Sequence, residues 1–381
     1  MPRPHSPRLL PRVFLAVGAL ALTLGALEAA VRALAPEPLT RARDARRGAF
    51  TRPGLHPVQT PEYRVTVRVN AQGFVDRPWG PKEPGVPRVA LLGDSFVQAA
   101  QVELDQGLGR RLDRWLDASR GHDVEVLSLG VPGAGTATAL QLYDQHAAAL
   151  EPDLVVLAFL VSNDVFNNHP GLDTKPDKPY FGLVDGALVP LEAADAGLGA
   201  IARTGLWRHS HLLRSLGRRV LAGAEARDRV RRGDGMPVDL RVHDPRHPPP
   251  WPEAWAVTEA LAAALAERCA ADGVAFGVLL LPDRVMATVA GARDAAARWP
   301  SLAGWDLQAA TREAEARLSP HAPVLDLTPA FTRSEQLGEG PLYFAQDGHW
   351  TALGHDVAAR FAADRVAAWL PPATPAAPDA P

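Results

Sequence analysis

Only one cysteine, Cys269, stands in the 381 residues, so no intramolecular disulfide is available and cysteine usage gives no indication of compartment. A lipid-modified cysteine near the N-terminus is excluded for the same reason. Cys269 lies in an Ala/Leu-rich helical pattern with nothing nearby to favour its thiolate, and reads as a buried structural thiol. Charge of one sign is lacking as well. Forty Lys and Arg against 43 Asp and Glu leave a formal net charge of −3, which exerts no general pull toward nucleic acid. No zinc-type spacing, basic-aromatic stripe or internal repeat is present. A hydrophobic fraction of 47% with 22% charged residues excludes a disordered or collagen-like chain. Proline gathers near the termini and around residues 245–252, as punctuation between folded parts.

What is present begins with one long apolar run. Arg3, Arg8 and Arg12 precede the uncharged stretch Val13–Leu27, and Glu28 and Arg32 follow one helical turn apart. A spanning helix needs about 20 mostly apolar residues. Residues 13–35 supply them if Glu28 and Arg32 pair or snorkel at the exit. The rival is a cleaved signal peptide cut after Ala33-Leu34-Ala35, but Pro36 is a poor context for it. The expectation is a single-pass inner-membrane anchor over 13–35, with a cytoplasmic N-terminus over 1–12 and the folded domain outside the cytoplasm. Arg41, Arg43, Arg46 and Arg47 beyond the helix outnumber the arginines before it, so the positive-inside count does not decide orientation.

Residues 36–60, rich in Pro and Arg, read as a tether. The alternating Tyr63–Val69 reads as a strand and Asn70–Phe74 as a turn, together making a linker and strand segment over 36–84. From there strand and helix alternate: strands at 88–92, 124–129 and 154–160, with helices at 105–118 and 136–150 between them. Leu104, Leu108, Leu112 and Leu116 recur every four residues in the first of these helices. The pattern stops between about 166 and 252, an insertion or cap. It holds Arg203, Arg208, Arg214, Arg218, Arg219, Arg227, Arg229, Arg231 and Arg232, either a solvated face or a contact for anionic headgroups or an acidic glycan. Alternation resumes with helices at 252–271 and 306–318, strands at 274–281 and 323–327, and a last helix at 352–370. Residues 371–381 read as a disordered tail. The predicted fold is a three-layer α/β/α domain over 85–370 with a mainly parallel, flavodoxin-like sheet, preceded by a transmembrane helix.

Ser95 follows a buried strand and Gly93, which places its hydroxyl at the carboxyl edge of the sheet, where nucleophiles sit in such folds. Val97 rules out the Gly-x-Ser-x-Gly elbow, and a lone Gly-Asp-Ser is as often a turn. Serine needs a base and the base an orienting group. Asp347 and His349, two residues apart after the last strand, can supply both. His355 is the competing base, but inside a helix it reads as a packing or capping residue. Oxyanion donors are available at two strand ends, the Gly130 N–H and the Asn163 amide, with the Ser95 N–H as a third. The turn Gly130–Gly135 is not Gly-x-Gly-x-x-Gly, and Pro132 removes an amide a phosphate would use.

Ser95, Gly130, Asn163 and His349 arriving in that order at successive strand ends resemble the blocks of the SGNH/GDSL hydrolase superfamily over residues 86–370. Gly93-Asp94-Ser95 matches the first block, Gly130 the second, Asn163-Asp164 the third and Asp347 with His349 the last. The resemblance implies Ser95 as nucleophile, His349 as base, Asp347 as its orienting acid, an oxyanion hole from Ser95, Gly130 and Asn163, and no metal or cofactor. Two positions depart from the pattern. Val161 replaces the usual glycine of the third block, and Asp-x-His replaces Asp-x-x-His. The Asp-Gly-His-Trp form looks like that of bacterial membrane-anchored members, which also carry a segment like Asn70–Phe74. The implied function is a serine esterase acting on an acylated glycan or lipid of the cell envelope, with no nucleic-acid partner. An O-acyltransferase modifying a surface polysaccharide and a non-catalytic carbohydrate-binding envelope protein are the alternatives.

Overall fold

The computed structural model describes residues 9–34, 41–44, 48–173, 178–191, 210–213, 215–217 and 235–372. The arginines of the insertion, Arg46, Arg47 and the tail from 373 onward fall outside them. The chain divides into two compact units, residues 1–40 with 194–235, and residues 41–193 with 236–381.

In the first unit, helix α1 (Leu9–Leu34) is apolar on all sides, and residues 12–34 are long and apolar enough to cross a membrane. Its side chains are bare: Phe14, Leu15 and Leu22 are each more than 70% exposed. Length and composition are those of a helix able to span a bilayer. Arg32 Nε donates to Glu28 Oε1 at 2.7 Å, the expected i,i+4 pair. The same carboxylate accepts from Ser210 Oγ and from the N–H groups of His211 and Leu212.

The second unit opens with two hairpins, β1 (Arg41–Asp44) with β2 (Gly48–Thr51), and β3 (Gly54–Gln59) with β4 (Arg64–Val69). The tether expected over 36–60 is therefore partly strand. Pro57 hides the signal in the sequence, because proline is tolerated only in an edge strand such as this one. The central sheet comprises β5 (Arg88–Gly93), β6 (Glu125–Gly130), β7 (Leu154–Leu160), β10 (Ala275–Leu281) and β11 (Val324–Asp326), all parallel, in the order β11-β10-β7-β5-β6. A further hairpin, β8 (Tyr180–Val184) with β9 (Ala187–Leu191), lies in the insertion. The helices are α2 (Ser95–Gln98), α3 (Leu108–Arg120), α4 (Thr136–Leu142), α5 (Val161–Asn167), α6 (Trp251–Ala271), α7 (Arg284–Ala287), α8 (Val289–Arg298), α9 (Ala309–Leu318), α10 (Thr328–Leu337) and α11 (Ala352–Trp369).

Every residue of β7 is buried, and its alternate side chains enter two cores. Val155, Leu157 and Phe159 pack with α4, α6 and α9, while Val156, Ala158 and Leu160 pack with α3, α10 and α11. That is why β7 reads as an unbroken apolar run rather than an alternating one. The leucine row of α3, Leu108, Leu112 and Leu116, is wholly buried in the second core. Each contributes about 1.5–3 kcal/mol by leaving water. The strand order reverses between β5 and β7, so a crevice opens at their carboxyl ends. The residues that follow those two strands are Asp94-Ser95 and Val161–Asn163.

Candidate active site

Ser95 is the first residue of α2, half-buried, with Asp94 as N-cap. The Asp94 carboxylate accepts from Phe96 N at 2.9 Å and from Asn163 Nδ2 at 2.7 Å. As the first helical residue, Ser95 directs an N–H that no helix carbonyl can use. Its Oγ lies 2.7 Å from His349 Nε2, and His349 Nδ1 lies 2.5 Å from Asp347 Oδ1. With the proton on Nδ1 donated to Asp347, Nε2 accepts from the serine hydroxyl. Residues 254 apart in sequence thus meet in one hydrogen-bonded line.

The short Asp-x-His spacing closes because Gly348 adopts φ +82°, a left-handed turn that brings both side chains to one side. Phe344 N donates to His349 O and Gly348 N to Phe344 O, so the turn is pinned across its own backbone. Trp350 beneath it is fully buried, its ring 5.0 Å from Phe96 and 4.9 Å from Phe331; Phe96 in turn lies 4.9 Å from the His349 ring. His355 is buried behind Trp350, edge-on to its ring, and burial pulls its pKa down to about 3. It is a neutral packing residue.

Gly130 ends β6 beside Gly93. Val131 N donates to Gly93 O at 3.0 Å, so strand alternation turns the Gly130 N–H to the opposite side of β6. Ser128 N and Val126 N point the same way, to Asp76 and Asp113. The geometry thus differs from the expectation of a Gly130 N–H aimed at Ser95. What the glycine provides is room: a Cβ there would lie 2.2 Å from Gln98 N, so the backbone of α2 seats directly on the end of β6.

Asn163 has a supporting chain that sequence reasoning missed. Lys178, a pure donor, bonds Asn167 Oδ1 and the Asp173 carboxylate. Asn167 must then present Nδ2 to Asn163 Oδ1, at 2.6 Å, and Asn163 must present its own Nδ2 toward Asp94 and the crevice. The lysine sets the polarity of both amides. Nothing in the sequence marks it, because it stands in the insertion.

Asp164 is buried, and its Oδ1 has no hydrogen-bond partner among the described residues. Burial, then the charge of Asp94, pushes its pKa well above the usual carboxylate range. The native state therefore keeps a proton that the unfolded chain releases, and stability falls as pH rises above the ordinary carboxylate range. Asp164→Asn is expected to remove that slope. Urea-unfolding midpoints of the two proteins should diverge as pH is raised, the variant becoming the more stable; parallel curves would refute this.

Among the described residues, no cluster of three or more His, Cys, Asp or Glu side chains is placed to hold a metal ion. A serine, imidazole and carboxylate in line at the carboxyl edge of a parallel α/β/α sheet define the class: the SGNH-type hydrolase fold. A model of the GDSL-like Lipase/Acylhydrolase family matches residues 91–295, and the chain belongs to that family. A second model, for the SGNH hydrolase-like domain of the acetyltransferase AlgX, matches residues 249–380. No curated protein matches the chain. Among solved structures, TesA is similar at 15% identity, covering 72% of this chain and 95% of its own, with a TM-score of 0.36. The lipase/acylhydrolase from Enterococcus faecalis is similar at 14%, with 75% and 98% coverage and a TM-score of 0.39. The acetylxylan esterase Axe2 from Geobacillus stearothermophilus is similar at 13%, with 73% and 93% coverage and a TM-score of 0.37. Likenesses of this size assign no substrate.

Proposed function

We propose that the chain is a membrane-anchored serine esterase that removes ester-linked acyl groups from an envelope glycan or lipid. The observation that carries this is the line Ser95 Oγ–His349 Nε2, His349 Nδ1–Asp347 Oδ1. Ser95 Oγ attacks the ester carbonyl carbon while His349 Nε2 takes the hydroxyl proton. The tetrahedral oxyanion is received by the Ser95 N–H and the Asn163 amide, with Gly130 seating α2 so that the first of these is in place. Collapse expels the alcohol, which takes the proton from His349 and leaves an acyl-Ser95. Water, activated by the same imidazole, hydrolyses it and restores the serine. Asp347 holds the ring in the productive tautomer throughout. Residues 13–35 anchor this domain as a single-pass helix in the inner membrane, with the site on the outer side.

A second reading has its own observation. The match over 249–380 to the domain of an acetyltransferase favours a sugar hydroxyl in place of water at the second step. Product analysis on an acylated donor, with and without a glycan acceptor, separates the two. For an esterase the free acid accounts for all the acyl group released, whatever acceptor is present. Acyl groups recovered on the acceptor would overturn that assignment in favour of transfer.

A further inference from the structure

We infer that the hairpin β3–β4, which lies before the family match, completes the active site: Glu62 and Tyr63 at its tip are positioning residues that hold Asp347 against His349. The inference rests on the reading of Asp347 as the group that orients the base.

The tip is built independently of the site. Thr60 Oγ1 accepts from the N–H groups of Glu62 and Tyr63, and Thr60 N donates to Tyr63 O at 2.9 Å. Val65, Val67 and Val69 of β4 are buried against Val75, Ala100 and Leu104, and Thr66 N donates to Glu103 at 3.2 Å. The hairpin is thus fastened to the segment that follows α2, the helix bearing Ser95. From this base the tip reaches a loop 284 residues away in sequence. Glu62 Oε1 accepts from Gln346 N at 2.9 Å and Oε2 from Asp347 N at 2.7 Å. The Tyr63 hydroxyl donates to Asp347 Oδ2 at 3.0 Å, and its ring lies 5.0 Å from that of Phe344.

Asp347 is therefore held at three points. One carboxylate oxygen faces His349, the other faces Tyr63, and its backbone N–H is fixed by Glu62. Within its own loop Oδ1 also accepts from His349 N at 3.3 Å, so the loop fixes one oxygen and the Tyr63 hydroxyl fixes the other. The donor is permanent: burial, and then the bond to Asp347, push the Tyr63 phenol up to about 12. Each end of the device needs the other, and the hairpin tip has no chemistry of its own.

The test uses the full-length protein in detergent and a short activated ester. Tyr63→Phe keeps the ring and deletes the hydroxyl. It is expected to lower kcat roughly 10- to 100-fold, the range for losing a hydrogen bond to a charged group, with KM and the unfolding midpoint unchanged. In the Asp347→Asn background the same substitution should cost nothing further, because its route of action is already gone. Wild-type kcat in Tyr63→Phe, or an equal loss in both backgrounds, overturns the proposal. If Tyr63→Phe lowers the unfolding midpoint, Glu62→Gln carries the same cycle. It removes the charge while keeping one acceptor oxygen, and the same pair of outcomes decides. Full activity in Asp347→Asn itself would overturn the reading of the site and this proposal with it, a result distinct from a failure of the hairpin alone.

Discussion

Ser95→Ala is expected to abolish turnover of a short activated ester and to leave the unfolding midpoint in place. Deleting the Oγ removes the atom that forms the acyl-enzyme, so nothing remains for His349 to activate except bulk water. In serine hydrolases the oxyanion donors and binding alone retain on the order of 10³–10⁴ over the uncatalysed rate, which for a turnover assay is a loss of roughly 10⁶-fold. The fold should not notice the change. Ser95 is half-buried, its hydroxyl bonds to His349, and α2 is capped by Asp94 rather than by the serine. A fluorophosphonate probe supplies the matching readout, labelling the wild type at residue 95 and not the variant. Retained hydrolysis in Ser95→Ala, or labelling elsewhere in the chain, would remove the serine from the reaction. Absence of labelling in the wild type would favour a non-catalytic binding protein.

Asp347→Asn is expected to lower kcat on the order of 10⁴-fold, the drop produced when a triad carboxylate becomes an amide. The physical reason is the tautomer. Asp347 Oδ1 is an acceptor 2.5 Å from His349 Nδ1 and so keeps the ring proton there. An amide turned to donate would favour the proton on Nε2, where it blocks acceptance from the Ser95 hydroxyl. The nearby Glu62 carboxylate is already engaged by the N–H groups of Gln346 and Asp347. A kcat within about tenfold of wild type would show that His349 is oriented by something else.

How much of this was legible in the sequence differs from element to element. The limits of β7 were readable to the residue, because a strand buried on both faces is apolar throughout and stops where it meets water. Helix α3 begins at Leu108, three residues later than the expected start at 105, since Leu104–Gln106 forms a separate 3-10 turn. Strand β3, the hairpin β8–β9 and helix α10 carried no clear pattern in the sequence. Ser95, Asn163, Asp347 and His349 could be picked out as a set, and the structure brings those four together around one crevice. Gly130 joins them by a different route, as the place where α2 touches the sheet, because which way an N–H points follows from strand register.

The sequence by itself determined the doubly covered parallel sheet, the long apolar N-terminal helix and the order in which polar residues arrive at strand ends. These are local properties, written in hydrophobic periodicity and in the residues that follow each run. Only the tertiary structure decided that Ser95 meets His349 across 254 residues, that Lys178 orients the Asn163 amide through Asn167, and that Glu62 and Tyr63 grip Asp347. Hydrogen-bond direction and reach depend on where packed elements come to rest, and no spacing along the chain encodes that.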